Sequence, residues 1–378
     1  MSETATENSV QQMDTIIVNP KVIALENKVK ELEARLSQSI GFRDGLVYQG
    51  YIDNPPVRNP QELYQAACRN DGVTISTWLP TWIKHIKENN ERYDFRANSV
   101  MNDYGKSAYK PTIIIGAGPS LKYNVDILAR EKGEMIVVAC SHAFAFLEDH
   151  GVKCDYVINL DSGPITLPEL VEGGKEPPEY YWNLAKERTL VTAITGNPEF
   201  HEKWQGRKLF YSVMASSPEF VAAHEEITKQ FRPTFSVGGN CLGACLYFAK
   251  AILGASPIVF MGADFSFGYD KKFHSWDSPY DQQFSGLVPA FDVFGNKVFT
   301  WPSYYNFKNW FEFIACGGQG NQPGMYINCT EGGILGSYAE GNIRQITQLR
   351  LKDFFWTYNL HKQMPDLLNP GKQVQLLF

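Results

Sequence analysis

The segment TIIIGAGPSL, residues 112–121, decides the fold class of this chain. Its first four residues are β-branched and mostly apolar, which predicts a buried strand over Thr112–Ile115. The strand runs into the turn Gly116-Ala117-Gly118-Pro119-Ser120-Leu121, and a helical pattern starts at about Lys122. A buried strand followed at once by a glycine turn and a helix begins a βαβ unit, so we expect a parallel sheet.

Further strand patterns follow, separated by amphipathic helical stretches such as Ala143–His150 and Cys241–Leu253. The strand patterns are Met135–Ala139, Tyr156–Leu160, Leu190–Ala193, Lys208–Tyr211 and Pro257–Met261. A glycine- and aromatic-rich region without a clear period fills residues 265–333. The alternation predicts an α/β fold of the Rossmann-like kind, with a mostly parallel sheet and helices on both faces, preceded by a helical N-terminal extension.

The N-terminal residues have a different character from the strand-rich block. Residues 1–19 are polar and low in aromatic side chains, which predicts a disordered tail. Apolar residues with heptad spacing over 21–36 predict a short helix within residues 20–40. This helix either makes a homo-oligomer by pairing with a second copy of the chain or packs on its own domain.

The remaining residues divide into three predicted parts. We expect a helical extension over 41–109, with helical patterns around Glu62–Ala67 and Trp78–Glu91. The Rossmann-like domain is expected over 110–335 and C-terminal helices over 336–378.

Composition excludes several classes of protein. The 378 residues are 44% hydrophobic and 20% charged, as in ordinary globular proteins. A net charge of −6 argues against duplex nucleic acid as the main partner. No apolar run approaches the ~18 residues that span a bilayer, so we expect a cytoplasmic protein with no membrane partner. The seven scattered cysteines are expected to be reduced, buried thiols.

The glycine turn over 116–121 is the first candidate site. Ligands of open α/β sheets bind beyond the carboxyl ends of the strands. Glycines there let backbone N–H groups approach a phosphate, and the next helix N-terminus adds a positive dipole end. Ser120 either caps that helix or bonds a phosphate oxygen. The turn matches neither GxGxxG nor a P-loop, and a tight turn without a ligand is the alternative.

Polar residues follow other strands of the same predicted sheet. Asp161 comes after the third strand, and its carboxylate has four alternative roles. It could bind Mg²⁺, hold a sugar hydroxyl, orient an acceptor, or only cap a turn. Ser141 and His142 follow the second strand. Asp264 follows the strand that ends at Met261 and would add a second carboxylate to the same rim.

Three loops complete the candidate set. The pair Gly238-Gly239 precedes the helix predicted from Cys241, which suits close approach of a ligand to a helix N-terminus. His274 is a natural general base or an exposed loop histidine. The run Thr330-Glu331-Gly332 is a polar strand-to-loop edge that offers contacts to a donor or an acceptor.

Taken together, these segments resemble the MptE-like family, which includes archaeal 6-hydroxymethylpterin pyrophosphokinases and motility-associated factors that glycosylate flagellin. The similar pieces lie in the family's order over roughly residues 110–335: IIIGAGPSLKYNVDIL, IVVACSHAFAFL, DYVINLDSGP, SVGGNCLGACLYFAKAILGASPIVFMGADFSF and INCTEGGIL. A more distant resemblance is to Rossmann-like bacterial sialyltransferases, whose corresponding turn binds a cytidine nucleotide. The resemblance implies a transferase with its nucleotide-type donor at turn 116–121, Ser141 and Gly238-Gly239.

The resemblance leaves the reaction open. A glycosyltransferase would move a sugar from a nucleotide-activated donor to a hydroxyl-bearing acceptor, with His274 as base and Asp161 and Asp264 at the rim. A pyrophosphokinase would move diphosphate from ATP to a pterin-like alcohol, with Mg²⁺ on Asp161. A non-catalytic assembly protein would oligomerise through residues 21–36. We favour the glycosyltransferase.

Overall fold

The structure, a computed structural model, describes residues 41–43, 46–48, 60–214, 217–282, 286–318, 324–340 and 345–367. The predicted tail over 1–19 and the heptad helix within 20–40 lie outside the described residues, so oligomerisation through residues 21–36 stays a prediction.

The described chain contains one large parallel sheet and two antiparallel hairpins. One hairpin pairs β1 (Gly41–Arg43) with β2 (Leu46–Tyr48). The large sheet contains β3 (Thr112–Ile115), β4 (Ile136–Cys140), β5 (Tyr156–Asn159), β6 (Thr189–Ala193), β7 (Arg207–Val213), β8 (Thr234–Phe235) and β9 (Ile258–Met261). The second hairpin pairs β10 (Val288–Phe291) with β11 (Lys297–Thr300). The large sheet also takes in β12 (Tyr326–Asn328) and β13 (Ile346–Gln348).

Helices connect and cover these strands. They are α1 (Pro60–Arg92), α2 (Leu121–Glu131), α3 (Phe144–Asp149), α4 (Thr166–Val171), α5 (Pro178–Leu184), α6 (Pro198–Lys203), α7 (Pro218–Thr228), α8 (Cys241–Tyr247), α9 (Pro302–Ala315) and α10 (Leu351–Leu367). α8 continues without a break into a π-helical stretch, Phe248–Ile252. Asn197 and Ser217 each cap a helix that begins with a proline. The capping side chain accepts hydrogen bonds from N-terminal amides, and the proline fixes the first helical φ.

The central strands are buried on both faces. In β3, Ile114 packs in one hydrophobic cluster and Ile113 and Ile115 pack in another. β4 divides Val137 and Val138 between the two clusters in the same way. Strands covered on both faces have continuous apolar sequences, which is why residues 112–115 lack polar alternation. The predicted α/β, Rossmann-like fold with a parallel sheet is confirmed.

The strand order creates a crevice at the middle of the sheet. The order is β13-β12-β9-β3-β4-β5-β6-β7-β8, so the chain builds outward from β3 to one side and later returns to its other side with β9. β3 and β9 are adjacent and parallel, with Ile115 opposite Met261. The chain that leaves β3 continues to β4 and the chain that leaves β9 continues to β12, on opposite sides of this pair of strands. Such a switch point is where open α/β sheets bind ligands.

The segment before the sheet differs from the sequence prediction. The helical patterns around Glu62–Ala67 and Trp78–Glu91 belong to a single helix, α1, which runs through Pro80. The ring of Trp82 packs edge-on against Phe220 of α7, with centroids 5.8 Å apart. Tertiary packing of this kind offsets the roughly 3 kcal/mol that an internal proline costs a helix.

The end of the chain and the aromatic-rich region also hold elements that periodicity does not reveal. β13 lies within residues 336–378, for which the sequence predicts helices, and it extends the sheet beyond β12 before α10 begins. The region 265–333 contains β10, β11, α9 and β12. Three- and four-residue strands are too short to give a periodic signal, and the tertiary neighbours decide their pairing. The division of the chain into domains stays a prediction.

Among the described residues, no helix combines the length and the apolar character that a membrane crossing requires.

Candidate functional site

The carboxyl ends of β9, β3, β4 and β5 open into a cleft with a volume of ≈ 410 Å³. This cleft brings together many of the residues that the sequence singled out. Those that line it are Gly116, Ala117, Gly118, Ser141, His142, Asp161, Gly239, Asp264 and His274. Residues more than 150 positions apart in the chain meet here because parallel strands end at one edge of the sheet.

Other expected site residues do not line the cleft. Leu121 is buried in the hydrophobic core, and Ser120 lies behind the turn, where its hydroxyl donates to Asp264 Oδ2 at 2.8 Å. Gly238 has a positive φ and sits against Trp310, whose ring a Cβ would meet at 2.2 Å. Pro119 is also absent from the lining. None of these four residues therefore lines the cleft.

The run Thr330-Glu331-Gly332, expected to contact donor or acceptor, supports the loop after β9. Thr330 Oγ1 accepts a hydrogen bond from Ala263 N–H at 3.1 Å. Glu331 Oε1 accepts from Leu351 N–H at 2.9 Å at the start of α10. Gly332 packs beside Asp264. The Thr330 hydroxyl and the Glu331 carboxylate therefore make internal hydrogen bonds, and none of the three residues lines the cleft.

Close backbone contact explains the glycines after β3. Gly116 N–H donates to Met261 O at 2.9 Å, and Gly118 N–H donates to Gly262 O at 3.0 Å. A Cβ on Gly116 would lie 2.5 Å from Gly262 O, and one on Gly118 would lie 2.0 Å from Asp264 Oδ2. The glycines let the loops after β3 and β9 touch. Two amides that the sequence assigns to a phosphate are thus used inside the protein.

Backbone amides are available instead at the start of α8. Asn240 caps this helix with its side chain. The amides of Cys241 and Leu242 belong to the first turn, where N–H groups lack intrahelical partners, and both residues line the cleft with Gly239. In the glycine turn, Ala117 N–H makes no hydrogen bond to another described residue. The anion-binding potential of the cleft is therefore greatest at the α8 N-terminus.

Asp264 is held under the glycine turn. Its side chain is 3% exposed, and burial raises its pKa to about 7 although hydrogen bonds from the Ser120 hydroxyl and amide oppose the rise. A Cβ on Gly333 would lie 2.2 Å from the Asp264 Cα, so the loop after β12 closes over the residue. The carboxyl group joins the turn after β3 to the loop after β9.

The pKa of Asp264 predicts how stability depends on pH. In the folded chain the Asp264 carboxyl group keeps its proton up to about pH 7, whereas in the unfolded chain it loses the proton near the ordinary pKa of 3.8. The free energy of unfolding that Asp264 contributes therefore falls as pH rises from about 4 to about 7. We expect urea unfolding of wild type and of Asp264→Asn to show this. As pH rises across this range, the difference between their free energies of unfolding should shrink or reverse sign. A difference that is constant with pH would contradict the assignment.

Asp161 lies at the cleft and meets the solvent that fills it. The residue is exposed to that solvent, but it stands between the walls of the cleft, and the desolvation there, with the nearby charge of Glu169, raises its pKa to about 6. The histidine His142 acts in the opposite direction. A carboxylate with a pKa close to neutrality is suited to accept a proton from a substrate.

His274 is buried, at 5% exposed, and is not the exposed loop histidine that the sequence allows. Burial, with the neighbouring His142, lowers its pKa to about 3. So low a pKa makes the imidazole a weak proton acceptor at neutral pH. His142 Nε2 lies 2.8 Å from Glu172 Oε2, and the centroids of the two histidine rings are 4.4 Å apart.

Aromatic side chains form another wall of the cleft. Phe273, Tyr280, Trp301 and Tyr304 all line it. The Phe273 ring lies 4.4 Å from Trp301 and 4.9 Å from Tyr304 between centroids. Tyr280 donates its hydroxyl hydrogen to Glu169 Oε1 at 2.7 Å. Such a wall offers flat apolar faces to a sugar ring or a nucleobase.

The lining has an acidic rather than a basic character. Among the described residues that line the cleft there is no lysine or arginine. Lys122, beside the glycine turn, is paired with Asp270. Lys272 is paired with Asp277 and Asp281. The cations nearest in sequence to the turn and to His274 are thus engaged by carboxylates.

Sequence reasoning missed Glu172, Glu169 and the aromatic wall. Glu172 follows α4 and Glu169 lies within it, and neither follows the end of a strand. The aromatic wall did leave a signal, the density of aromatic residues over 265–310, but composition does not say which rings face a cleft.

Comparison with known proteins places these features in a family. The family model described as 6-hydroxymethylpterin diphosphokinase MptE-like matches residues 81–270, just over half of the chain. Structural comparison also finds a MAf glycosyltransferase from Magnetospirillum magneticum AMB-1, with 14% sequence identity and a TM-score of 0.48. The alignment covers 74% of this chain and 41% of that one, so this chain spans less than half of that protein's length. No curated protein matches the sequence. The chain belongs to the MptE-like family, which confirms the resemblance seen in its sequence and indicates a transferase.

Proposed function

We propose that this chain is a glycosyltransferase that moves a sugar from a nucleotide-activated donor to a hydroxyl-bearing acceptor. The observation that carries the proposal is that one cleft combines helix N-terminal amides at α8 with a carboxylate, Asp161, whose pKa is about 6. The amides suit a leaving phosphate, and the carboxylate suits the deprotonation of an alcohol.

The donor phosphate would lie against the amides of Ala117, Cys241 and Leu242. Its charge is greatest as the bond between the sugar and the phosphate breaks, so fixed N–H dipoles stabilise the transition state more than the bound donor. Stabilisation by backbone dipoles needs no cationic side chain, in agreement with the absence of lysine and arginine from the described lining.

Asp161 would accept the proton of the acceptor hydroxyl as its oxygen attacks the anomeric carbon of the sugar. This role replaces the one that the sequence assigns to His274, because Asp161 has the higher pKa and meets solvent in the cleft. The rings of Tyr280, Trp301 and Tyr304 would pack on the sugar or the base.

A diphosphokinase that uses ATP and Mg²⁺ is the second candidate, favoured by the description of the family. Asp161 and Glu169 supply carboxylate oxygens of the kind that Mg²⁺ binds together with substrate phosphates. Diphosphate transfer also calls for cationic groups on the phosphates, and the described lining supplies none. The second candidate therefore ranks below the first.

A thermal-shift screen of nucleoside diphosphates, nucleotide sugars and ATP with Mg²⁺ tests the proposal. A donor at about 100 times its Kd should stabilise the folded chain by roughly 2.7 kcal/mol. Ala117→Asp places a negative charge beside the proposed phosphate site and should abolish the shift, whereas Ala117→Ser should keep it. Stabilisation by ATP with Mg²⁺ but by no nucleotide sugar would overturn the first candidate. No stabilisation by any of them would favour a non-catalytic assembly protein.

A further inference from the structure

We propose that His142, Glu172 and His274 form a binding site for a divalent first-row transition metal of the Zn²⁺ class, on the wall of the cleft. The inference goes beyond the transfer reaction, since it requires neither a donor nor an acceptor.

The three side chains converge from separate parts of the fold. His142 follows β4, Glu172 follows α4 and His274 lies in the loop after β9. Each offers one ligand atom, and these atoms lie within 4.8 Å of one another. A metal with bonds of about 2.0–2.2 Å to nitrogen and oxygen therefore needs small side-chain rotations and no change of the backbone.

Two of the three residues carry a buried polar atom without a partner. His274 Nδ1 and Glu172 Oε1 make no hydrogen bond within the described chain, and His274 is 5% exposed. A buried polar atom left in this way has lost its hydrogen bonds to water without a replacement from the protein, which destabilises the folded chain. A metal ion coordinated by the cluster would supply the missing partner for such an atom.

Packing holds the imidazole of His274 in place. Its ring stacks on Trp276 with the planes 7° apart and the centroids 5.2 Å apart. The indole also packs on Phe146, 5.4 Å away. A Cβ on Gly173 would lie 2.4 Å from the indole, so the glycine beside Glu172 allows this close packing. A ligand whose orientation is fixed before the metal arrives loses less entropy on binding.

The ligand set selects the class of metal. Two imidazole nitrogens and one carboxylate oxygen suit Zn²⁺, Co²⁺ and related ions, whereas Mg²⁺ and Ca²⁺ prefer oxygen ligands. With three protein ligands, a tetrahedral ion keeps one position open. His142 and His274 both line the cleft, so the open position would face it. Water or an oxygen of a bound substrate would fill that position.

A second group of metal-ligand residues, Cys140, Cys241 and Cys245, lies nearby and is the alternative metal site. Its thiols are explained without a metal, since Cys241 Sγ donates to Ile158 O at 3.0 Å and Cys140 and Cys245 are buried. The Sγ atoms of Cys140 and Cys245 also lie 3.8 Å apart, within hydrogen-bond distance of each other. We therefore assign the site to the histidines.

Titration of chelator-treated protein with Zn²⁺ and Co²⁺ tests the site. We expect wild type to bind one Zn²⁺ per chain, with no competition from excess Mg²⁺. Glu172→Gln and His274→Gln should each weaken Zn²⁺ binding by more than about tenfold. Zn²⁺ should raise the thermal midpoint of wild type but not that of either variant.

Two matched variants complete the test. His150→Gln alters a half-buried histidine bonded to Phe146 O, and Cys241→Ser alters the thiol cluster; both should bind Zn²⁺ as wild type does.

The proposal is overturned by wild type that binds no Zn²⁺, by unchanged affinity in the Glu172→Gln and His274→Gln variants, or by a cobalt–thiolate charge-transfer band that Cys241→Ser removes. Glu172→Gln preserves the shape of the side chain, and circular dichroism without metal checks its fold. The titration contains no nucleotide, so its failure leaves the proposed transfer standing, and a failed donor screen leaves the metal site standing.

Discussion

Gly118→Val is expected to lose donor binding and to lower the free energy of unfolding by about 2 kcal/mol or more. The first added carbon would lie 2.0 Å from Asp264 Oδ2 and 2.6 Å from Gly262 O. Backbone cannot move aside cheaply, so the valine must push the turn away from the loop after β9 and break the hydrogen bond between Ser120 and Asp264. Urea unfolding and the thermal shift given by the donor measure the two losses.

Gly72→Ala is the matched control for this substitution. Gly72 is an exposed residue of α1, and a Cβ there would meet no atom within 4 Å. Alanine in a helix is favoured over glycine by up to about 1 kcal/mol, so the control should be at least as stable as wild type. If Gly118→Val were to unfold at the wild-type urea concentration, the two loops would not be in the contact described.

Asp161→Asn is expected to lower the rate of transfer by about 10²–10⁴-fold while the donor still binds. The amide cannot accept the proton of the acceptor hydroxyl, but it has nearly the same shape as the carboxylate. The turnover of the donor found in the screen, measured with its acceptor, gives the rate, and the thermal shift gives the binding. Asp126→Asn, on the exposed face of α2, is the control and should turn over as wild type does. Equal rates in both variants would remove Asp161 from the mechanism.

The pH dependence of wild type follows from the same carboxylate. A base must be unprotonated to act, and the pKa of Asp161 is about 6. We therefore expect kcat/KM to be level above about pH 7 and to fall roughly tenfold per pH unit below about pH 5. This acid limb should be missing from the residual activity of Asp161→Asn. An acid limb of the same midpoint in that variant would assign it to another group.

The fold could be predicted because its signal is local. β3 is a continuous apolar run that ends in glycines, and β4, β5 and β9 repeat the pattern, so the parallel sheet and its ligand edge follow from order and composition. The short strand β13 gave no comparable signal, since three residues complete no recognisable period. The helical patterns around Glu62–Ala67 and Trp78–Glu91 did not show that they join into one helix, because local propensity does not include the packing of α1 on α7.

The sequence predicted many of the residues that line the cleft, but not what each of them does there. The residues after β3, β4, β5 and β9 were expected at one sheet edge and they meet there. Whether an amide is free depends on the neighbouring loop, and the amides of Gly116 and Gly118 are taken by residues about 145 positions away in the chain. Whether a histidine can act as a base depends on its burial. His274 is buried and has a lowered pKa, so we propose Asp161 as the base instead.

The sequence by itself determined the α/β class, the family and the edge of the sheet where chemistry is expected, because strand runs and glycine turns are local patterns. The tertiary structure decided which groups are available at that edge. The glycines after β3 serve the contact between two loops. The first residues of α8 line the cleft, and Glu172 lies beside His142 and His274. Solvation and hydrogen-bond partners are set by residues distant in sequence, and both the pKa of a side chain and the freedom of an amide depend on them.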